Sequence, residues 1–383
     1  MRRRILICIA ACFYYSGLVA LARWYAQRGQ RRLVILNYHR ATGGDLRRQL
    51  LYLRRHYRIM HVEAALEDLY ACRKDQSLSE RGRRLPLVLT FDDGYRDNYT
   101  HAFALARELQ IPLTIYLVPG YIEIGNCFWW LEGERIARQA QVRDVEIAED
   151  SPVRSGAIDR AINVPLELNG RNEARAGARK EVPVRPRREQ ERASLARAID
   201  ARLRHARSVA EREAFLAEVR EKLGASEAVL DEEAPYLPLT WEQVREMDES
   251  GWVSFGAHTM HHPVLSYLAD PEELQREVAQ CRVVLEQHLG HPVRSFAYPI
   301  GQVQHIGAAV IDAVRRAGYD WALTTSYGLN TPRNDPYLLK RIEVDVDQHW
   351  LVVAAETAGL WGFFSRLRWL PFIRKRFTNA RED

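Results

Sequence analysis

Leu87-Val88-Leu89-Thr90-Phe91 runs straight into Asp92-Asp93-Gly94, and few folds tolerate that order of residues. The apolar, partly β-branched run reads as a buried strand, and the glycine stops it. Two carboxylates therefore stand side by side where strand gives way to loop. Like charges a few ångströms apart push one pKa up unless a metal or another cation holds the pair. The plain alternative is a turn in which one aspartate caps the following helix.

A matching stretch lies far downstream. The strand-like run Trp252 to Phe255 leads into Gly256-Ala257-His258-Thr259-Met260-His261-His262-Pro263. His258 and His262 are four apart, so one helical turn there puts both imidazoles on the same side, with His261 pointing elsewhere. Two neutral imidazoles and one carboxylate suit Zn2+, or a similar divalent ion such as Co2+ or Ni2+, with a position left open for water.

Elsewhere strand and helix signals alternate. Leu33 to Leu36 is a strand ending at Asn37-Tyr38-His39-Arg40, and Leu46, Leu50 and Leu53 recur at helical spacing. Thr240-Trp241-Glu242-Gln243 has the form of a capping box, and Asp270-Pro271-Glu272-Glu273 opens another helix. Such alternation points to a parallel α/β fold. His39, Asp92, Asp93, His258 and Tyr298 each follow a predicted strand, and a β/α barrel gathers such positions at its C-terminal mouth.

Three stretches carry a family resemblance. Thr90-Phe91-Asp92-Asp93-Gly94, His258-Thr259-x-x-His262 and Arg294-Ser295-Phe296-Ala297-Tyr298-Pro299-x-Gly301 resemble, in order, the first three motifs of the polysaccharide deacetylases, the NodB-homology group of carbohydrate esterases. The similar stretches run from about Leu33 to Trp350, with one large interruption. The resemblance implies an irregular (β/α) barrel of seven or eight strands. It implies Asp93, His258 and His262 on the metal and Asp92 as the base. Arg294 is then the arginine that holds Asp92 ionised, and the Tyr298 backbone N–H completes the oxyanion site.

One family feature is missing. Most relatives carry a late Leu-x-His motif whose histidine is the general acid, and no such motif occurs here. Leu36-x-Tyr38-His39 instead resembles the N-terminal motif of a permuted branch that includes biofilm poly-N-acetylglucosamine deacetylases. That likeness gives the acid role to His39. His349, beside a loose fourth motif of Asp345, Asp347 and Trp350, is the rival.

The chain divides into three parts. Residues 1–30 hold Arg2-Arg3-Arg4, the apolar run Ile5 to Ala22, and the interfacial Arg23, Trp24 and Tyr25. This is expected to be an uncleaved transmembrane anchor, with a signal peptide ending at Ala20-Leu21-Ala22 as the alternative. Residues 31–357 form the catalytic domain, interrupted at about 131–234 by an Arg-, Glu- and Ala-rich insertion read as a solvated helical face. Residues 358–383 interleave aromatic and basic side chains, which suits either a membrane interface or a docked helix.

Five cysteines make no disulfide framework, and a diffuse net charge of +5 with no binding motif excludes nucleic acid as a partner. The expected protein is a metal-dependent hydrolase of the bacterial cell membrane that removes N-acetyl groups from an envelope or extracellular polysaccharide, its catalytic domain facing the periplasm or exterior. An O-acetyl esterase or a lipid-linked sugar deacetylase would use the same site, and a carbohydrate-binding protein on an inactive barrel is the rival of another class.

Overall fold

The computed structural model describes residues 2–28, 31–71, 84–140, 187–226 and 235–360. Its strands are β1 (Val34–Tyr38), β2 (Tyr57–Ile59), β3 (Leu85–Phe91), β4 (Leu113–Leu117), β5 (Val253–Ala257), β6 (Ser295–Ala297), β7 (Trp321–Tyr327) and β8 (Leu339–Glu343). Every pairing between them is parallel. β1 pairs with β8 on one side and β3 on the other, which closes a ring of β1, β3, β4, β5, β6, β7 and β8. Short β2 pairs only with the start of β3, from Leu85 to Leu87. The expected irregular barrel is thus present, with seven strands in the ring.

Side chains alternate across a strand, so every second residue faces the barrel interior. Leu33, Ile35, Val88, Tyr116, Ala297, Leu323 and Leu339 belong to one buried cluster. Two residues further along β1, β3 and β8 come Asn37, Thr90 and Arg341, all fully buried and hydrogen-bonded to one another through Arg341. This polar layer lies between the apolar floor and the mouth, where His39 and Asp92 continue the same alternation.

Helices cover the outside: α1 (Arg2–Tyr15), α2 (Leu18–Gln27), α3 (Leu46–His56), α4 (Val62–Tyr70), α5 (Ala104–Leu109), α6 (Pro119–Ile124), α7 (Trp129–Gln139), α8 (Arg187–Arg204), α9 (Val209–Leu223), α10 (Trp241–Glu249), α11 (Pro271–Leu289), α12 (Ala308–Arg316) and α13 (Trp350–Thr357). Thr240 and Gln243 form the expected capping box on α10. Asp270 caps α11 through the amides of Glu272 and Glu273, but the Glu273 carboxylate reaches across to the Val209 amide instead of closing a box.

Two expectations change. The run read as a transmembrane anchor is broken: Gly17 takes φ 80°, and the helices on either side are bent by 67°. No single described helix is long and apolar enough to cross a membrane, although the bent pair together has the length and composition. Ala10 is buried against Leu351 and Val352 of α13, and Val19 and Ala26 join the main core. The described helices of the insertion are not a solvated face either, because Ile199, Leu203, Phe215, Leu216 and Val219 pack with Phe128, Trp129 and Ile136. Residues 361–383, with most of the basic aromatic tail, lie outside the described residues.

Candidate active site

Asp92 follows β3 directly, and its backbone N–H donates to the Tyr38 carbonyl at 2.8 Å, which carries the strand geometry one residue past β3. The side chain is 2% exposed, and both of its oxygens accept from one guanidinium: Arg341 Nη1 to Oδ1 and Arg341 Nη2 to Oδ2, each at 2.7 Å. Arg341 is itself fixed by the Thr324 carbonyl at 2.9 Å and by Asn37 Oδ1 at 3.0 Å. Burial pushes the Asp92 pKa up, but the Arg341 charge outweighs it and holds the carboxyl well below its usual range.

Arg294 does not fill that role. It precedes β6 and so sits where the strands begin, at the opposite end of the barrel from Asp92. There its Nε donates to Asp320 at 2.6 Å and its Nη1 pairs with Glu67 at 2.5 Å. Arg341 is the residue that sequence reasoning missed. Its signal was an arginine at an inward position of β8, where an unpaired cation is untenable.

Asp93, His258 and His262 converge on one point, their ligand atoms all within 4.8 Å of one another. Both imidazole Nε2 atoms lie 3.6 Å from Asp93 Oδ1. With metal–ligand bonds of about 2 Å on tetrahedral angles, neighbouring donors sit about 3.3 Å apart, so the set fits a zinc-sized ion with a position to spare. His258 Nδ1 donates to the Ala297 carbonyl at 2.7 Å, which fixes the tautomer and leaves Nε2 as a ligand. Burial lowers the pKa of both histidines, which keeps the rings neutral as ligation requires.

No helical turn supplies the His258–His262 spacing. The segment is a loop in which Thr259 and His262 take φ 65° and 54°, and Asp93 takes φ 73°. Positive φ is uncommon without glycine, and such strain persists where the surroundings over-determine it. The surroundings here are specific. The His262 amide donates to Thr259 Oγ1 at 2.9 Å, and Trp129 Nε1 donates to the His262 carbonyl at 3.0 Å. The Trp130 ring lies 4.3 Å from the His262 ring, and its Nε1 donates to the Tyr95 hydroxyl at 2.6 Å. Tyr95 in turn lies beside Asp93 and favours its ionised form.

His261 points away, as expected, onto the Glu277 carboxylate at 2.6 Å. Its carbonyl accepts from Nη1 of Arg212 at 3.0 Å, and that guanidinium lies over the Trp129 ring at 5.4 Å. Arg212 belongs to α9, inside the insertion, and is 2% exposed. The segment that carried no visible chemistry therefore braces the loop holding His262. Gly120 packs against the same loop so closely that a Cβ there would come 2.5 Å from the Met260 carbonyl.

His39 is partly buried at the end of β1 and shares the electrostatic environment of Asp92, Asp93 and His262. Its carbonyl accepts from Asn98 at 3.1 Å, and the turn after it is organised by buried Asp97, which accepts from the Ala41 and Thr42 amides at 3.0 Å each. It opens onto a cleft of about 710 Å³ that also includes Arg40, Tyr236, Glu343, Asp345 and Asp347.

Tyr298 departs from expectation. Its N–H donates to the Leu323 carbonyl at 3.1 Å within the sheet, so it is not a free oxyanion donor. Its ring falls on the outward side of β6, where its hydroxyl donates to the Tyr337 carbonyl at 3.1 Å. His349 caps α13 by accepting from the Leu351 amide at 3.3 Å through Nδ1.

Residues 216–322 match the family model described as polysaccharide deacetylase. YxkH of Bacillus subtilis (strain 168), whose name places it among the polysaccharide deacetylases, is 28% identical over 106 residues; the match spans 28% of this chain and 36% of that protein. The chain thus covers about a third of that relative's length. Among solved structures, the deacetylase PplD of Streptococcus pyogenes, in complex with acetate, superposes with a TM-score of 0.50 at 16% identity, over 86% of this chain and 99% of PplD. IcaB from Ammonifex degensii superposes with a TM-score of 0.48 at 20% identity, over 86% of this chain and 98% of IcaB.

Proposed function

We propose that the chain is a metal-dependent hydrolase of the polysaccharide deacetylase kind that removes N-acetyl groups from an N-acetylglucosamine-type polysaccharide, a reading supported by the match of residues 216–322 to that family's model. The observation that carries this reading is the Asp93–His258–His262 donor set beside a carboxylate held ionised by Arg341. Those three residues would hold the metal. When bound, a divalent metal supplies Lewis acidity to the acetyl carbonyl and acidifies a water molecule.

The chain's own residues do the rest. Asp92 receives the proton of the attacking water. The contact with Arg341 keeps its carboxylate charged and aimed, and it also weakens it as a base, so the water must be correspondingly acidic. His39 protonates the departing amine, a task suited to an imidazole because its ordinary pKa lies near neutral. The cleft beside His39 gives the sugar chain a path to the site, with the exposed Tyr236 ring along it. An acetylated envelope or extracellular polymer as substrate requires the catalytic domain on the outer side of the bacterial cell membrane.

The test is acetate release from chitin oligomers, poly-N-acetylglucosamine and acetylated xylan, with and without chelator. Release from the first two that stops on chelation and returns with Zn2+, Co2+ or Ni2+ supports the reading. Release from xylan alone would move the activity to O-acetyl groups.

A further inference from the structure

On the flank of the barrel, away from the mouth, lies a groove of about 780 Å³ that none of the chemistry above uses. Arg54, Arg55 and His56 at the end of α3, Arg84 before β3, and Leu51, Tyr52, Tyr14 and Trp350 form it with Arg48. Arg48 pairs with Asp45 at 3.5 Å, whereas Arg54, Arg55 and Arg84 have no ion-pair partner among the described residues. Arg84 donates instead to the Arg54 carbonyl at 3.2 Å, which draws two of the guanidinium stems together. Arg23 of α2 reaches the same groove and donates to the Tyr52 hydroxyl at 3.0 Å. Burial and the charges of Arg23, Arg55 and Arg84 push the His56 pKa down to about 4, so the imidazole adds no charge of its own near neutrality.

Beside this cationic groove, α1 and α2 expose an apolar surface. Tyr15 is 77% exposed, Tyr25 67%, Leu21 58% and Trp24 46%, and Leu51 on the groove wall is 39% exposed. Leu18, Leu21 and Tyr25 recur at helical spacing on one face of α2. The bend at Gly17 denies the pair a straight span, while Ala10, Val19 and Ala26 anchor the opposite faces on the protein. Exposed aromatic and aliphatic side chains next to unpaired arginines are the composition of a surface that lies in a bilayer interface.

We propose that this face docks on an anionic phospholipid bilayer, with a headgroup phosphate seated among Arg54, Arg55 and Arg84 while Leu18, Leu21, Trp24 and Tyr25 enter the acyl boundary. The occupant follows from charge and shape together: a soluble anion has no use for the apolar rim, and a neutral bilayer has none for the arginines. Docking here is peripheral, so α1 and α2 lie along the membrane and do not cross it. It also sets an orientation. Arg84 precedes β3 and Asp92 follows it, and seven residues of strand separate them by about 23 Å. The Arg84 end of the groove therefore lies at the end of the barrel opposite the mouth, and docking along this flank leaves the mouth open beside the lipid.

The experiment is flotation of the full chain with vesicles of pure phosphatidylcholine and with vesicles of phosphatidylcholine mixed with phosphatidylglycerol. The expected result is binding to the mixed vesicles, lowered at least about tenfold in the triple variant Arg54→Gln, Arg55→Gln, Arg84→Gln. All three residues are exposed, so the core is untouched, and an unchanged thermal unfolding curve verifies that. In a second variant, Leu21→Ser with Trp24→Ser, binding should fall while the arginines remain. Equal binding to both vesicle types, or no loss in the triple variant, overturns the proposal. So does displacement by inorganic phosphate, which makes the groove a site for a soluble anion. Retention after a carbonate wash also overturns it, by making the pair an integral anchor. None of these readouts depends on which acetyl group the enzyme removes.

Discussion

Arg341 and Asp92 meet in two parallel contacts of 2.7 Å inside the barrel, one from the last strand and the other from the end of the third. β1 separates those strands in the ring, so the pair is made across its inward face, past Asn37 and Thr90. Removing one partner of a buried ion pair leaves the other uncompensated, at a cost of about 3–5 kcal/mol. Arg341→Met is expected to lose about that much in chemical denaturation and most of its turnover. Arg294→Met, which loses only half-exposed partners, should lose less than about 1 kcal/mol and keep turning over. Equal losses in the two variants would return the role to Arg294.

The same pair makes a prediction about pH. With its folded pKa below the unfolded value of about 4, Asp92 contributes stability that is complete above that value and lost only as pH falls through the folded pKa. In Arg341→Met burial, the strongest influence on Asp92, is opposed only by His258 and His39, which puts the folded pKa above the unfolded one and reverses the sign. That variant should lose stability as pH rises from about 4, the range in which the parent has already reached its plateau. Urea melts across acid pH measure both slopes.

Replacing Asp93, His258 or His262 with Ala is expected to abolish metal binding and turnover together. Asp92→Asn should keep the metal and lose turnover, because it removes a proton acceptor and no ligand. Metal content of the purified variants by elemental analysis checks this. Stoichiometric metal in the double variant His258→Ala, His262→Ala would rule the site out.

His39→Ala should retain metal and fold but lose amide hydrolysis by about a hundredfold to ten-thousandfold, as removal of a general acid does. An activated ester, whose leaving group needs little protonation, should lose far less. If both substrates fall equally, or neither falls, His39 is structural.

Arg212→Met keeps the hydrophobic stem and removes the guanidinium from the His261 carbonyl and the Trp129 face. Losing a charged hydrogen bond of this kind costs about 1.5–3 kcal/mol. The expected outcome is a matching loss of stability with weaker metal binding, measured by titration, because His262 is next in the chain. Full metal affinity would mean that the insertion merely covers the loop.

Much of this site was legible because its side chains are short and sit at strand ends. Asp92, Asp93 and His258 follow their strands immediately, so reading the strands located them, and alternation places His39 on the inward side. The same alternation was not carried through β6 and β8. Tyr298 comes one residue after the inward Ala297 and so falls outside, and Arg294 precedes its strand and so belongs to the far end. Arg341, two residues beyond inward Leu339, had to point in. The role of Arg212 had no such periodic signal. It depends on where α9 lands, a long-range contact that a run of charged helix residues does not encode locally. The broken N-terminal helix was hidden for a related reason: hydropathy averages over Gly17, whereas packing against α13 selects the bend.

Wedging the first strand between the third and the last has a consequence for how the protein is made. Asp92 leaves the ribosome 249 residues before its counter-charge. At about 5–20 residues per second that interval is on the order of ten to fifty seconds. For that time the nascent chain owns a carboxylate that the interior cannot accept, and the seam beside β1 must stay open. Asp93, His258 and His262 are all synthesised well before Arg341, so the growing chain acquires its metal-binding side chains before it acquires a barrel able to use them. Premature release between His262 and β8 therefore yields a chain that carries every metal ligand and no catalyst.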